Sequence, residues 1–166
     1  MSAPHTGGFY CPWLAAADPT HQVAVALAPL TSNWGSDGPT QLATYTVDSS
    51  GNLTTTSTFE NMPSVLVGSV TDYWRSPSGK FLAVGGTSGL QIFRFNGANP
   101  ITRKTGLVTT KEVDQMFWDN ANPLYAISRS AGKLFVFTVT ATSVTQAPGS
   151  PHSMVSPQNI IVLPKT

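Results

Sequence analysis

Three stretches of the chain repeat one pattern of apolar and polar positions. LATYTV (42–47), LQIFRF (90–95) and LFVFTV (134–139) each carry an aromatic ring at the fourth place, as Tyr45, Phe93 and Phe137. Upstream of each lies a second apolar run: VAVAL from Val23, FLAVG from Phe81 and LYAIS from Leu124. Each of these follows a polar turn, Asp18-Pro19-Thr20-His21, Ser76-Pro77-Ser78-Gly79 or Asp119-Asn120-Ala121-Asn122. Downstream, an apolar residue followed by threonine recurs as Leu53-Thr54, Ile101-Thr102 and Val144-Thr145. The spacing, roughly 43 to 58 residues, lies in the range of propeller and solenoid repeats.

Each unit reads as four short antiparallel strands. In the second unit they fall near 70–74, 81–85, 90–95 and 101–107, separated by Pro77-Ser78-Gly79, Gly86-Thr87-Ser88-Gly89 and Asn96-Gly97-Ala98-Asn99-Pro100. Glycine and asparagine at these breaks supply the positive φ that tight hairpins need. No window shows the apolar i, i+3, i+4, i+7 spacing of a helix. In LFVFTV one strand face carries Phe135, Phe137 and Val139 and the other Leu134 and Val136. A sheet with one wet face would alternate apolar and polar residues. These strands are therefore expected to be covered on both faces, as a blade is between its neighbours.

The pattern predicts an all-β chain, a single β-propeller segment over 1–166 with blades near 9–60, 65–108 and 112–147 and one more strand at 156–163. A β-sandwich is the alternative, although it does not ask for a repeated four-strand unit. Propellers close with about four to eight blades. Three blades and a strand would leave apolar faces and strand edges open. The expected partners are the missing blades of a longer chain, or further copies of this one.

Composition narrows the function classes. Charged residues are 10% of the chain, against about 25% in an average domain, and Ser and Thr fill the polar positions. Threonine is β-branched and suits a pleated surface. The low charge also favours an extracytoplasmic place, periplasmic or secreted. The net charge is +1, and Arg103-Lys104 is the only adjacent basic pair. A phosphate backbone needs several clustered cations, so nucleic acid is not an expected partner. No apolar run approaches about 18 residues, so no membrane span is expected. The stretch from Met1 to Gly8 has neither a basic nor an apolar region of the kind a signal peptide carries. Cys11 is the single cysteine, and His5, His21 and His152 are scattered without metal-ligand spacing. No metal and no cofactor are expected.

SPSGKFLAVGG (76–86) followed by GLQIFRFNG (89–97) resembles the lactonase-like, YVTN-type seven-bladed propellers of bacteria, relatives of 6-phosphogluconolactonase. The ending APGSPHSMVSPQNIIVLPK (147–165) is similar to the C-terminal close of such proteins. The resemblance runs from about Trp13 onward. It implies that this chain corresponds to the C-terminal portion of a seven-bladed ring, and it brings a lactone hydrolase into consideration. Such relatives often begin the inner strand with a Gly-Pro-Arg-His type motif. The corresponding stretches here, GSVTDYW (68–74) and KEVDQMF (111–117), have no basic pair, so no catalytic residue is carried over.

The residues themselves show little reaction chemistry. No G-x-S-x-G elbow occurs, and Gly86-Thr87-Ser88-Gly89 reads as a hairpin turn with no helix after it. Gly132-Lys133 lacks the residues of a phosphate-binding loop. Asp72 and Arg75 are placed along the inner strand that would line a propeller channel, where a carboxylate could hold a cation or act as a base. Trp34 stands in a polar insertion, PLTSNWGSDGPT (29–40), absent from the other two units. In a propeller blade, the second-to-third-strand connection opens on the same face as the link to the next blade. That rule would gather Trp34, Asp37, Glu60, Asn61, Lys111, Glu112 and Asp114 on one rim, as a site for a polar ligand such as a carbohydrate, or for a protein. Two function classes follow: a binding or interaction scaffold, and a lactonase-like hydrolase with its site in the channel.

Overall fold

The computed structural model describes residues 4, 7–121 and 123–161. Every regular element among them is a strand. The first sheet holds β1 (Phe9–Ala17), β2 (Gln22–Leu30), β3 (Gln41–Val47) and β4 (Leu53–Thr54). The second holds β5 (Val70–Arg75), β6 (Phe81–Gly86), β7 (Gly89–Asn96) and β8 (Asn99–Thr109). The third holds β9 (Gln115–Trp118), β10 (Pro123–Ser128), β11 (Lys133–Val139) and β12 (Val144–Gln146), with β13 (His152–Ser153) added on β11. Each sheet is an antiparallel meander in sequence order. The first strands stand side by side, β5 packing against both β1 and β9. Three four-stranded sheets and an extra strand thus make an incomplete propeller-like arrangement.

Two apolar seams hold the blades together. Between the first and second lie Ala24, Ala26, Leu42, Leu82, Val84, Phe93 and Ile101, closed over by Val65 and Val67 from the link. Between the second and third lie Phe81, Ala83, Leu90, Ile92, Met116, Leu124, Phe135 and Phe137. Strand β6 sits between both seams and is buried at all six positions, which is why its sequence, FLAVGG, does not alternate. Gly89 opens the next strand with φ +140°. A Cβ there would stand 2.0 Å from the Thr109 carbonyl oxygen, so only glycine fits.

The threefold register is real. Tyr45 pairs with Val23, Phe93 with Leu82 and Phe137 with Leu124. Burial follows it only in part. Phe93 and Phe137 are enclosed, whereas Tyr45 is half-buried. The physical reason is its face: Tyr45 belongs to a small cluster with Tyr10, Val25, Leu27, Ala43 and Met62 on the first blade's outer side, where no further blade lies.

The extra strand is not where the sequence pattern places it. Residues 156–161 form no strand, and 162–163 lie outside the described residues. Instead β12 and β13 share one edge. β12 covers Phe137–Val139 and β13 covers Lys133–Leu134. Between them the turn at 147–151 keeps contact with β11, through Ala147 N–H donating to the Val136 carbonyl (2.8 Å) and Val136 N–H donating to Ser150 Oγ (2.9 Å). With that edge occupied, SPQNII runs on as irregular chain, tied to β9 by Ile160 N–H donating to Gln115 Oε1 (2.9 Å).

Candidate functional site

β4 spans only two residues, so residues 55–69 are left to travel from the first blade to the second. This link is held down rather than loose. Thr44 N–H donates to Ser57 Oγ at 2.9 Å, and Val65 N–H to the Thr40 carbonyl at 2.8 Å. Asn61 closes a turn within it, accepting from Thr58 N–H (2.7 Å) and donating to the Thr56 carbonyl (3.0 Å). Opposite, the inserted hairpin from β2 to β3 brings Asp37, Gly38 and Pro39. Together with Ile101–Arg103 of β8, these segments enclose a groove of about 630 Å³ lined also by Pro29, Gln41 and Phe59–Ser64.

The groove mixes acceptors, a cation and apolar surface. Asp37 and Glu60 bring carboxylates, and Phe59, Met62, Pro39 and Pro63 bring apolar walls. The Arg103 guanidinium donates from Nε and Nη2 to the Ser64 carbonyl (3.1 and 2.9 Å), which fixes its plane and leaves further N–H donors on the same fork. Gln41 is buried at 6% exposure and donates from Nε2 to the Phe59 and Met62 carbonyls (3.0 and 3.4 Å), while its Oε1 has no partner. The Tyr10 hydroxyl is likewise enclosed and unpartnered. Its pKa is raised, chiefly by burial and further by Glu60, Asp37 and Tyr45. The phenol therefore feels both groove carboxylates.

The seven rim residues divide. Asp37, Glu60 and Asn61 meet in this groove, although the Asn61 side chain is committed to its own turn. Trp34 does not line it. It sits at the hairpin tip, 74% exposed, with φ +64° and its ring edge-on to Phe9 at 4.6 Å between centroids. Phe59 supplies the groove's aromatic instead. Lys111, Glu112 and Asp114 lie on the second link, at the other seam. There Val113 N–H donates to the Gly86 carbonyl (3.0 Å), and Asp114 accepts from Arg129 N–H (2.7 Å) and pairs with its guanidinium at 3.8 Å.

Thr71, Asp72 and Trp118 join the second blade to the third, whereas Arg75 bonds within its own strand end. Asp72 accepts from Met116 N–H of the next blade (2.5 Å) and from its neighbour Tyr73 N–H (2.9 Å). Burial raises its pKa, and those bonds oppose the rise without cancelling it. Thr71 Oγ1 donates to the Val113 carbonyl, and Trp118 Nε1 to the Trp74 carbonyl at 3.1 Å. Arg75 donates to the adjacent Ser76 carbonyl at 3.2 Å. Among the described residues no group of three or more His, Cys, Asp or Glu could hold a metal, and no helix is long and apolar enough to cross a membrane.

Gln41 and Arg103 are polar groove residues that the sequence pattern does not single out. In the sequence Arg103 stands out only as half of the basic pair Arg103-Lys104. Gln41 immediately precedes LATYTV, where a polar side chain at a strand start carries no special signal.

No protein-family model matches the chain, and no curated protein matches it in sequence. In structure it is similar to a protein of Bacteroides fragilis described as a "putative 6-phosphogluconolactonase", with TM-score 0.52 and 13% identity. The similarity covers 89% of this chain and 44% of that one, so the chain spans less than half the length of that protein. At that identity the likeness speaks for the fold alone.

Proposed function

We propose that this chain is a segment of a propeller-type binding protein whose groove, at the seam of the first two blades, holds a polyhydroxylated ligand of the carbohydrate type. The observation that carries the reading is the meeting of Asp37, Glu60 and Arg103 over a buried Gln41 whose Oε1 lacks a donor. Vicinal hydroxyls give and accept at once, so they suit carboxylates beside a guanidinium. Phe59, Pro39 and Pro63 offer the apolar contact that a sugar's C–H faces require. The low charge of the chain supports an extracytoplasmic place for such a module.

A lactonase-like hydrolase is the second reading, supported by the similarity in fold to the Bacteroides fragilis protein. It ranks lower because Asp72, the inner-strand carboxylate, is already bonded to two backbone N–H groups. The test is a neutral oligosaccharide array followed by calorimetry of the best ligand. Glu60→Ala and Asp37→Asn should each weaken binding about tenfold, the scale of one lost charge-assisted bond, while Trp34→Ala leaves it unchanged. An array without hits, or binding indifferent to both acidic substitutions, overturns the reading. Lactone hydrolysis by the same preparation would promote the second.

A further inference from the structure

On the outer end of the other seam, two cations meet without a counter-charge. Phe81 pairs with Arg94 across β6 and β7, and Arg94 with Thr102 across β7 and β8. Lys104 lies two positions beyond Thr102, on the same face of the sheet. The Phe81 ring, buried in the seam with the third blade, becomes a floor for both: the Arg94 guanidinium stands 5.8 Å and the Lys104 ammonium 5.3 Å from its centroid. Above them comes the β11–β12 turn of the next blade. Its Ala141 carbonyl accepts from Arg94 Nη2 and from Lys104 Nζ, the latter at 3.0 Å.

One neutral oxygen thus draws two positive groups together. Neither forms an ion pair, and the described residues contain a single such pair, Arg129–Asp114. Burial and the charge of Arg94 push the Lys104 ammonium below the usual lysine range, and no carboxylate acts against them. A chain with only nine Lys and Arg has set two of them side by side where they repel. The Ala141 carbonyl uses one N–H of each, so most donors of both groups point elsewhere. The turn is closed on itself, Thr140 Oγ1 accepting from Ser143 N–H (2.9 Å) and Thr142 N–H (3.3 Å), so the carbonyl that gathers the cations is held in place.

We propose that Arg94 and Lys104, gathered over Phe81 by the Ala141 carbonyl, form an oxyanion-binding site for a phosphate or sulfate group. An anion there offsets the repulsion, takes the remaining donors as charge-assisted bonds and fastens the second blade to the third. Planar guanidinium beside point-charge ammonium is a combination suited to a tetrahedral oxyanion. The site is separate from the carbohydrate-type groove and does not depend on it.

The experiment follows thermal unfolding of the chain in sodium phosphate against sodium chloride at equal ionic strength, with 31P line broadening as a direct readout of binding. Wild type should show a saturable rise in Tm with phosphate and matching saturable broadening. Arg94→Gln/Lys104→Gln should bind at least about tenfold more weakly, and Lys111→Gln, an exposed lysine elsewhere, should match wild type. A rise that is linear and equal in wild type and the double variant is the general salting effect of excluded anions and overturns the proposal. Should the double variant fail to fold, Lys104→Gln and the direct titration of wild type decide, and wild type without saturable broadening overturns it. Phosphoserine separates the sources of the group: tighter binding than inorganic phosphate indicates a phosphorylated ligand, equal binding a free ion.

Discussion

Phe93, Phe137 and Tyr45 occupy one position of the repeat in three surroundings, so truncating each to alanine measures what a neighbouring blade contributes. Phe93 is fully enclosed between the first and second blades and Phe137 between the second and third. Removing either ring loses its transfer free energy and leaves a cavity that two sheets must collapse around, a cost of about 3–5 kcal/mol. Tyr45 is in the same register but covered on one side only. Roughly half the area is at stake and solvent fills the gap, so Tyr45→Ala should cost about 1–2 kcal/mol. Urea titration at low protein concentration gives these values from the midpoint shifts, with Trp118, 4% exposed in the second seam, as the fluorescent reporter. If a further blade or a second copy covers the first blade's outer face at higher concentration, the cost of Tyr45→Ala should rise toward that of Phe93→Ala. Equal costs for all three in the dilute monomer would refute the open-face argument. They would mean that the outer cluster around Tyr45 is already packed as a seam.

Other consequences can be tested with single substitutions. Asp72→Ala should cost about 2–4 kcal/mol, because it strands the Met116 and Tyr73 amides in a half-buried place, and hydrogen exchange at the Met116 amide should accelerate with it. The pH dependence has a definite sign. With its folded pKa raised above the ordinary 3.8, Asp72 binds a proton in the folded state that it releases on unfolding. Its stabilising contribution is therefore full below 3.8 and is lost as pH rises through the raised value. Urea midpoints of wild type should fall over that interval relative to Asp72→Asn, and parallel profiles would dismiss the account. Gly89→Ala should destabilise by several kcal/mol through its clash with the Thr109 carbonyl, measured as a lost or strongly lowered Tm. Trp34→Ala should change stability by less than about 0.5 kcal/mol, the ring being exposed at a hairpin tip, and a large drop in Tm would show a packing role. Light scattering should find the chain associating as concentration rises, since both terminal blades present an uncovered face, and a non-associating monomer of 17.6 kDa would contradict this.

What the sequence made legible was the part fixed by local pattern. The aromatic at the fourth place of each repeat, the polar turns and the two-sided apolar strands are short-range facts, and they set the meanders and their register. The extra strand was misplaced because Asn159-Ile160-Ile161 has strand-forming residues, yet 156–161 pairs with no strand and the added strand is β13. β13 reaches β11 because the turn at 147–151 is itself bonded to that strand, a long-range contact that composition does not reveal. The rim site divided for a similar reason. A rule about which loops share a face says nothing of where around the face each one lies. Asp37 and Glu60 lie at one seam and Asp114 at the next. Trp34 also takes a positive φ, which nothing in PLTSNWGSDGPT requires of that residue, and its ring meets Phe9 of β1.

The two seams are fastened differently, and this difference explains why the groove forms at one of them. The second seam is tied along the inner strands by Asp72, Thr71 and Trp118 and at its outer end by Arg94 and Lys104 on the Ala141 carbonyl, and its link, from Thr109 to Gln115, is short. Little backbone is left over to enclose a space. The first seam is tied nearer the outer strands, by Ile101 N–H donating to Thr44 Oγ1 at 2.9 Å, by Leu66 N–H donating to Gln91 Oε1 at 3.0 Å, and by Arg103 reaching Ser64. Its long link must cross the outside of the blade to reach β5, and the inserted hairpin rises to meet it. A short β4 is therefore the root of the site: by giving up its outer strand early, the first blade frees residues 55–69 to become a wall. The same side-chain and backbone bonds that hold this wall, from Ser57, Gln41 and Arg103, also fix the Gln41 amide and the Arg103 guanidinium in place. If the groove takes a ligand as proposed, such preorganisation lowers the cost of binding.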